Sequence, residues 1–212
     1  MLLYTTARAP NPRRVEIFLR EKGLSIPSKH IDIGRLEHRS ESYTKVNPVQ
    51  QMPSLELDDG TVLTESIAIC RYFEELHPEP ALFGTSARGR AEIEMWQRRL
   101  EMGLLLTVAS VFRHSHPFMA KVEVPQVPEW AAANRPKAER FLQLFNEALA
   151  ERRFVAGDEF SVADITGIVA IEFMRPARIT LDPALTHVQR WFGDMSKRAS
   201  VIENPPPPPS QS

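Results

Sequence analysis

The 212-residue sequence predicts an α/β domain followed by an all-α domain. Three observations predict it. Up to residue 78, short apolar or alternating runs are interleaved with amphipathic stretches in the order βαβ, then ββα. After residue 86 no convincing strand pattern follows, and apolar residues recur at helical spacing instead. Between the two lies His77-Pro78-Glu79-Pro80, a stiff, helix-breaking stretch. The expected organisation is therefore an α/β domain over 1–78, a linker over 79–86, a helical domain over 87–201 and a disordered proline-rich tail over 202–212. The length suits two small domains.

Each element has its own signal. Leu2-Leu3-Tyr4 is a short apolar run that fits a buried strand. In Ala9-Pro10-Asn11-Pro12, Asn11 suits an N-cap and Pro12 the first helical position. Val15, Phe18 and Leu19 then form an apolar stripe, and Gly23 fits just past the helix end. Residues 30–33 alternate polar and apolar like a half-buried strand. A short helix is expected over 40–45, broken by Asn47-Pro48. Strands over 54–57 and 61–63 flank the turn Asp58-Asp59-Gly60. Ser66–Leu76 reads as a helix with Ile69, Cys70 and Phe73 on one side.

In the second half, residues 87–113 carry one long helical pattern. Residues 113–128, with three prolines and two histidines, predict a loop or broken helix. A helix is expected over 136–152, with Phe141, Leu144, Phe145 and Leu149 in a stripe. Ser161-Val162-Ala163-Asp164 resembles a capping box and opens an apolar helix to about Met174. Asp182-Pro183 predicts the start of the last helix, striped by Val188, Trp191, Phe192 and Met195. From Asn204 the chain is uncharged and proline-rich, which predicts disorder or extended polyproline II.

Composition excludes several classes. A net charge of -1 creates no global field for nucleic acid or anionic membrane. The most apolar run, 103–112, is shorter than the ~20 residues that cross a bilayer. The single cysteine, Cys70, allows no internal disulfide and no C-x-x-C pair, so a reducing, cytoplasmic setting is expected. No metal site is expected: His114 and His116, two apart, do not share a helix face. Cys70, on the apolar side of its helix, reads as a buried inert thiol, and Asp164 reads as a stabilising cap.

Two segments carry a family resemblance. Asn47-Pro48-Val49-Gln50-Gln51-Met52-Pro53-Ser54-Leu55 and then Leu63-Thr64-Glu65-Ser66-Ile67-Ala68-Ile69 resemble the N-terminal domain of glutathione transferases. Pro12-Arg13-Arg14-Val15 and Phe160-Ser161-Val162-Ala163-Asp164-Ile165 extend the resemblance over most of residues 1–195. The resemblance implies a thioredoxin-like first domain, a helical second domain and glutathione as co-substrate, with a small electrophile as the other partner. It also implies a homodimer. By resemblance, Met52 precedes a cis Pro53 and pairs its backbone with the glutathione cysteine, as an added strand would. Glu65 and Ser66 hold the ammonium and carboxylate of the γ-glutamyl group, and a helix start suits an anion. Gln51 and His38 match positions that contact the glycine end.

Catalysis requires a thiolate, and a free cysteine thiol has a pKa of about 8.5. The family's serine position falls on Ala9, which has no donor. Some bacterial members use an asparagine at the following turn, and Asn11 matches it; helix capping is its competing role. Thr5, Thr6 and Arg8 are fallback candidates, and Tyr4 reads as packing. The expected activity is attack of the glutathione thiolate on an electrophile. Ala9 leaves open a non-catalytic glutathione-binding member, and a glutathione-dependent disulfide or peroxide reductase is the other alternative.

Overall fold

In a computed structural model, residues 1–202 are described. They form two units, Met1–Pro80 with the segment from Ala199, and Ala81–Arg198. The tail from residue 203, expected to be disordered, lies outside the described residues.

The first unit contains β1 (Leu2–Thr5), α1 (Pro10–Glu21), β2 (Ser28–His30), α2 (Glu41–Val46), β3 (Ser54–Glu56), β4 (Val62–Thr64) and α3 (Ser66–Leu76). The sheet order is β2-β1-β3-β4, with β1 and β2 parallel and the other pairs antiparallel. This is the thioredoxin-like arrangement. The register sets Leu3 opposite Leu55 and Tyr4 opposite Ser54. Successive strand residues face opposite sides, so the leucines and Tyr4 serve two different cores. Helices α1 and α3 pack together and bury Val15, Ile17, Phe18, Ile69, Cys70 and Phe73. Tyr4, Ile31, Tyr43 and Met52 form the other cluster.

Two local expectations need correction. β2 is Ser28–His30 and not 30–33, because its register with β1 runs from Leu3 to Thr5 and ends there. The alternation over 30–33 reflects Ile31 and Ile33 packing below Tyr4 after the chain has left the sheet. Helix α1 begins at Pro10 with Ala9 as its N-cap, two residues earlier than Asn11 predicts. Both Pro10 and Pro12 fit a first turn, where no intrahelical donor is lost.

The second unit contains α4 (Ala87–Leu100), α5 (Leu106–Ser115), α6 (Pro128–Ala148), α7 (Val162–Met174) and α8 (Thr186–Met195). A π-helical segment, Glu101–Leu105, joins α4 to α5 within the long predicted helix. A 3₁₀ turn, Pro117–Lys121, follows α5. α7 is the central helix, buried on nearly every side. A Cβ at its Gly167 would lie 2.8 Å from the Trp191 ring, so only glycine admits that contact. α6 starts at Pro128 and runs through Pro136, where a start was expected. Pro136 and Ala132 are both exposed, so water can serve the carbonyl that the proline leaves without a donor. Asp182 caps a turn through Ala184 N, and α8 begins three residues later than Pro183 predicts.

Leu82 and Phe83, expected in a linker, are buried, and Val162 N donates to Leu82 O within the helical unit. The short α9 (Ala199–Ile202) belongs with the first unit. It packs on α1, where Arg13 and Arg20 donate to the Val201 and Ser200 carbonyls at 3.3 and 3.4 Å.

Candidate functional site

A shallow pocket in the first unit gathers Asn11, Asn47, Val49, Gln51, Met52, Pro53, Thr64, Glu65 and Ser66. It is built from three pieces of chain: the start of α1, the loop into β3, and the start of α3.

The β3 loop is held from within by buried polar groups. Asn47 Nδ2 donates to Gln51 O at 2.8 Å and to Ser54 Oγ at 3.1 Å, while its Oδ1 accepts from Val49 N at 3.0 Å. The Tyr43 hydroxyl donates to Gln51 O at 2.6 Å and lies 3.1 Å from Ser54 Oγ. Burial pushes the Tyr43 hydroxyl pKa up, so it stays a donor. With its carbonyl held this way, Gln51 keeps its side chain exposed. The Met52-Pro53 peptide is cis.

The start of α3 is unusual. Glu65 is its N-cap residue at φ 66° and ψ 117°, a backbone region that a side-chain-bearing residue seldom occupies. Its carboxylate is exposed and makes no cap bond. Ser66 is therefore the first helical residue and not the cap; its side chain is buried. Neither the Glu65 carboxylate nor the Ser66 hydroxyl has a hydrogen-bond partner among the described residues. The first N–H groups of a helix have no intrahelical acceptor either. The result is a cluster of donors beside one unneutralised acid.

Asn11 stands at the second position of α1, where it does not cap the helix. Its Oδ1 accepts from Nη2 of the buried Arg14 at 2.7 Å. A guanidinium donates only, so the amide must present its oxygen to Arg14. Its NH₂ end, a donor, is left for other partners.

Six of the ten residues singled out from the sequence thus meet in one place: Asn11, Gln51, Met52, Pro53, Glu65 and Ser66; Thr5 is not among them and donates to Glu16 at 3.0 Å. Thr6, Arg8 and His38 do not line it. Thr6 is buried, and Arg8 is exposed at φ 63°. His38 is buried, with no hydrogen-bond partner for Nδ1. Burial, then the Arg39 charge, pushes its pKa below the ordinary imidazole value. Sequence reasoning did not single out Val49 or Thr64 as site residues. It read Asn47 as a breaker, yet its buried amide fixes the loop.

Other reactive-looking groups are occupied. Burial raises the Cys70 thiol to about 12, which makes it inert. Tyr4 donates to Glu56 at 2.7 Å and is raised to about 12, chiefly by burial. His114 and His116 each accept a backbone N–H, from Val127 and Phe118. Asp164 accepts from Val155 N, Ser161 N, Ser161 Oγ and Trp191 Nε1, all at 2.9–3.0 Å.

Comparison with known proteins agrees with this construction. Residues 3–81 match the family model "Glutathione S-transferase, N-terminal domain", and residues 107–199 match "Glutathione S-transferase, C-terminal domain". Glutathione S-transferase 2 of Saccharomyces cerevisiae is 35% identical over 204 residues, covering 95% of this chain and 88% of that protein. The crystal structure of Gtt2 from Saccharomyces cerevisiae superposes with a TM-score of 0.91 at 35% identity, over 95% of this chain and 99% of that one. A glutathione S-transferase domain-containing protein from Marinobacter aquaeolei gives a TM-score of 0.91 at 35% identity, over 95% and 100%. Both halves of the fold, the two family models and full-length relatives lead to one result: the chain belongs to the glutathione S-transferase family and is a transferase of that class.

Proposed function

We propose that the first-unit pocket binds glutathione, and that Asn11 stabilises its thiolate for attack on a small electrophile. The observation that carries this is the convergence of Asn11, Glu65 and Ser66 on one pocket, each with a polar group free for a ligand. The γ-glutamyl carboxylate sits at the start of α3, on backbone N–H groups and the Ser66 hydroxyl. The ammonium pairs with Glu65. The Met52 backbone pairs with the glutathione cysteine as an added strand. Gln51 takes the glycine end, with His38 a second candidate for it.

The Asn11 amide donates to the sulfur, and the start of α1 adds a favourable dipole. Each lowers the thiol pKa and raises the thiolate fraction at neutral pH. The thiolate then forms a carbon–sulfur bond, and the electrophile's electron pair leaves with its leaving group or takes up a proton. Thr6 and Arg8 are fallback donors, and their absence from the pocket lining supports Asn11 for the role. A cytoplasmic homodimer completes the reading. No helix among the described residues is long and apolar enough to cross a membrane.

The test is the ultraviolet titration of bound glutathione thiolate together with steady-state kinetics. Asn11→Ala is expected to raise the bound thiol pKa by about one unit and lower kcat roughly tenfold, with KM little changed. An unchanged thiol titration with only a lower Tm would make Asn11 structural. Ala9, with no donor at the family's hydroxyl position, supports a second reading, a member that binds glutathione without turnover. That reading predicts retention on immobilised glutathione and no conjugate with any electrophile.

A further inference from the structure

We propose, on the reading that the first-unit pocket binds glutathione, that Tyr43 is a positioning residue for that ligand: its hydroxyl fixes the Gln51–Met52 peptide so that the Met52 N–H faces the pocket. Tyr43 itself does not line the pocket. It lies in α2, with its side chain buried.

The Gln51 carbonyl is held by two donors. Tyr43 Oη reaches it at 2.6 Å and Asn47 Nδ2 at 2.8 Å. A carbonyl only accepts, so the single phenolic proton lies on the Tyr43–Gln51 bond. Burial raises the Tyr43 pKa and keeps that proton in place. Ser54 Oγ, 3.1 Å from Tyr43 Oη, must then donate in that contact, and it accepts the second Asn47 proton at 3.1 Å. Tyr43, Asn47 and Ser54 are all buried, and their network is closed, so the carbonyl has a fixed direction.

That direction decides where the next N–H points. The 51–52 peptide is trans, and in a planar trans peptide the C=O and N–H point to opposite sides. The carbonyl points into the buried network. The Met52 N–H therefore points away from it, on the side where Gln51, Met52 and Pro53 line the pocket. Neither the N–H nor the C=O of Met52 has a hydrogen-bond partner among the described residues. The Met52 side chain packs meanwhile in one cluster with the rings of Tyr43 and Tyr4. Tyr43 thus anchors Met52 twice, by ring contact and through the peptide before it. A ligand peptide carbonyl, here that of the glutathione cysteine, is the acceptor that fits the exposed N–H.

Tyr43→Phe keeps the ring and removes only the hydroxyl. Two ligands of the full chain separate its effects: glutathione, measured by calorimetry, and γ-glutamylethylamide, measured as a competitive inhibitor of conjugation. The second keeps the γ-glutamyl head and its amide but has no cysteine carbonyl. Tyr43→Phe should weaken glutathione about fivefold and leave γ-glutamylethylamide within about 1.5-fold of wild type. At saturating glutathione, kcat and the bound-thiol titration should hold, so the loss lies in KM. Ser54→Ala is the control: it loosens the same cluster and lowers Tm, but leaves both donors to Gln51 O, so glutathione affinity should hold. Wild-type glutathione affinity in Tyr43→Phe would overturn the proposal. An equal loss for both ligands, or an equal loss in Ser54→Ala, would overturn it too and make Tyr43 a packing residue. A wild-type chain with no glutathione affinity would end the pocket reading along with it, so the two failures are told apart.

Discussion

Two helix starts in this chain are built from a serine and a carboxylate, and they are used in opposite ways. At the start of α7, Ser161 and Asp164 are buried, and Asp164 accepts four hydrogen bonds. At the start of α3, the Glu65 carboxylate is exposed and the Ser66 hydroxyl is buried, and neither has a partner among the described residues. A buried polar group costs stability unless it is paired, so a saturated cluster belongs to the fold. A cluster left unpaired gives up that stabilisation and leaves its polar groups open to a ligand. Residue type does not separate the two starts; the count of satisfied bonds does.

The sharpest way to break this contrast is Asp164→Ala. It strands four buried donors, each worth about 1–3 kcal/mol when unsatisfied. A loss of more than about 4 kcal/mol in urea unfolding is expected, with glutathione affinity per folded molecule unchanged. A loss below about 1 kcal/mol would show that the cluster is not what holds α7.

Asn47→Ala comes next. It removes the donor to Gln51 O and the acceptor for Val49 N, and a loss of about 2–3 kcal/mol is expected by thermal unfolding. The glutathione KM should rise in the same variant, because the loop that carries Gln51 and Met52 loosens. Stability lost with KM unchanged would separate the loop from the site.

Ser66→Ala should show the reverse pattern. The hydroxyl has no internal partner, so stability should change by less than about 0.5 kcal/mol, while glutathione affinity falls roughly tenfold by calorimetry. Equal affinity in the variant would remove Ser66 from the carboxylate site.

The smallest effect is in pH. Burial raises Asp164 to about 6, against the hydrogen bonds that lower it. The folded state therefore holds this proton more tightly than the unfolded chain does. The contribution to stability is fully present below pH about 4 and is lost as pH rises through about 6. Denaturant melts of the wild type minus those of Asp164→Asn, from pH 4 to 7, should fall with rising pH. A flat difference would mean that Asp164 has the same pKa in the folded and unfolded states.

Much of this was legible in the sequence because local and tertiary signals agree. Helix α3 has the predicted bounds Ser66–Leu76, since Ile69, Cys70 and Phe73 form both its stripe and its core. The Ser161–Asp164 box was legible for the same reason. Prolines misled the reading where two positions satisfied one rule. Asn11-Pro12 and Asp182-Pro183 both look like helix starts, yet α1 begins at Pro10 and α8 at Thr186. Pro136 looked like a start and lies on the exposed side of a longer helix. In the site, the family resemblance singled out Met52, Pro53, Glu65 and Ser66, because short segments carry it, and the structure gathers all four in one pocket. The orientation of the Asn11 amide depends on Arg14 reaching its oxygen across one helical turn, which no one-dimensional pattern records.

The return of α9 to the first unit has a topological consequence. Residues 81–198 are, in chain order, an insertion between two parts of one body. Cutting the chain after Pro80 would leave the α1 arginines without the Ser200 and Val201 carbonyls they reach. A minimal version of the first domain would join 1–80 to the α9 segment through a short linker, and the helical unit could be exchanged between those two splice points as a cassette.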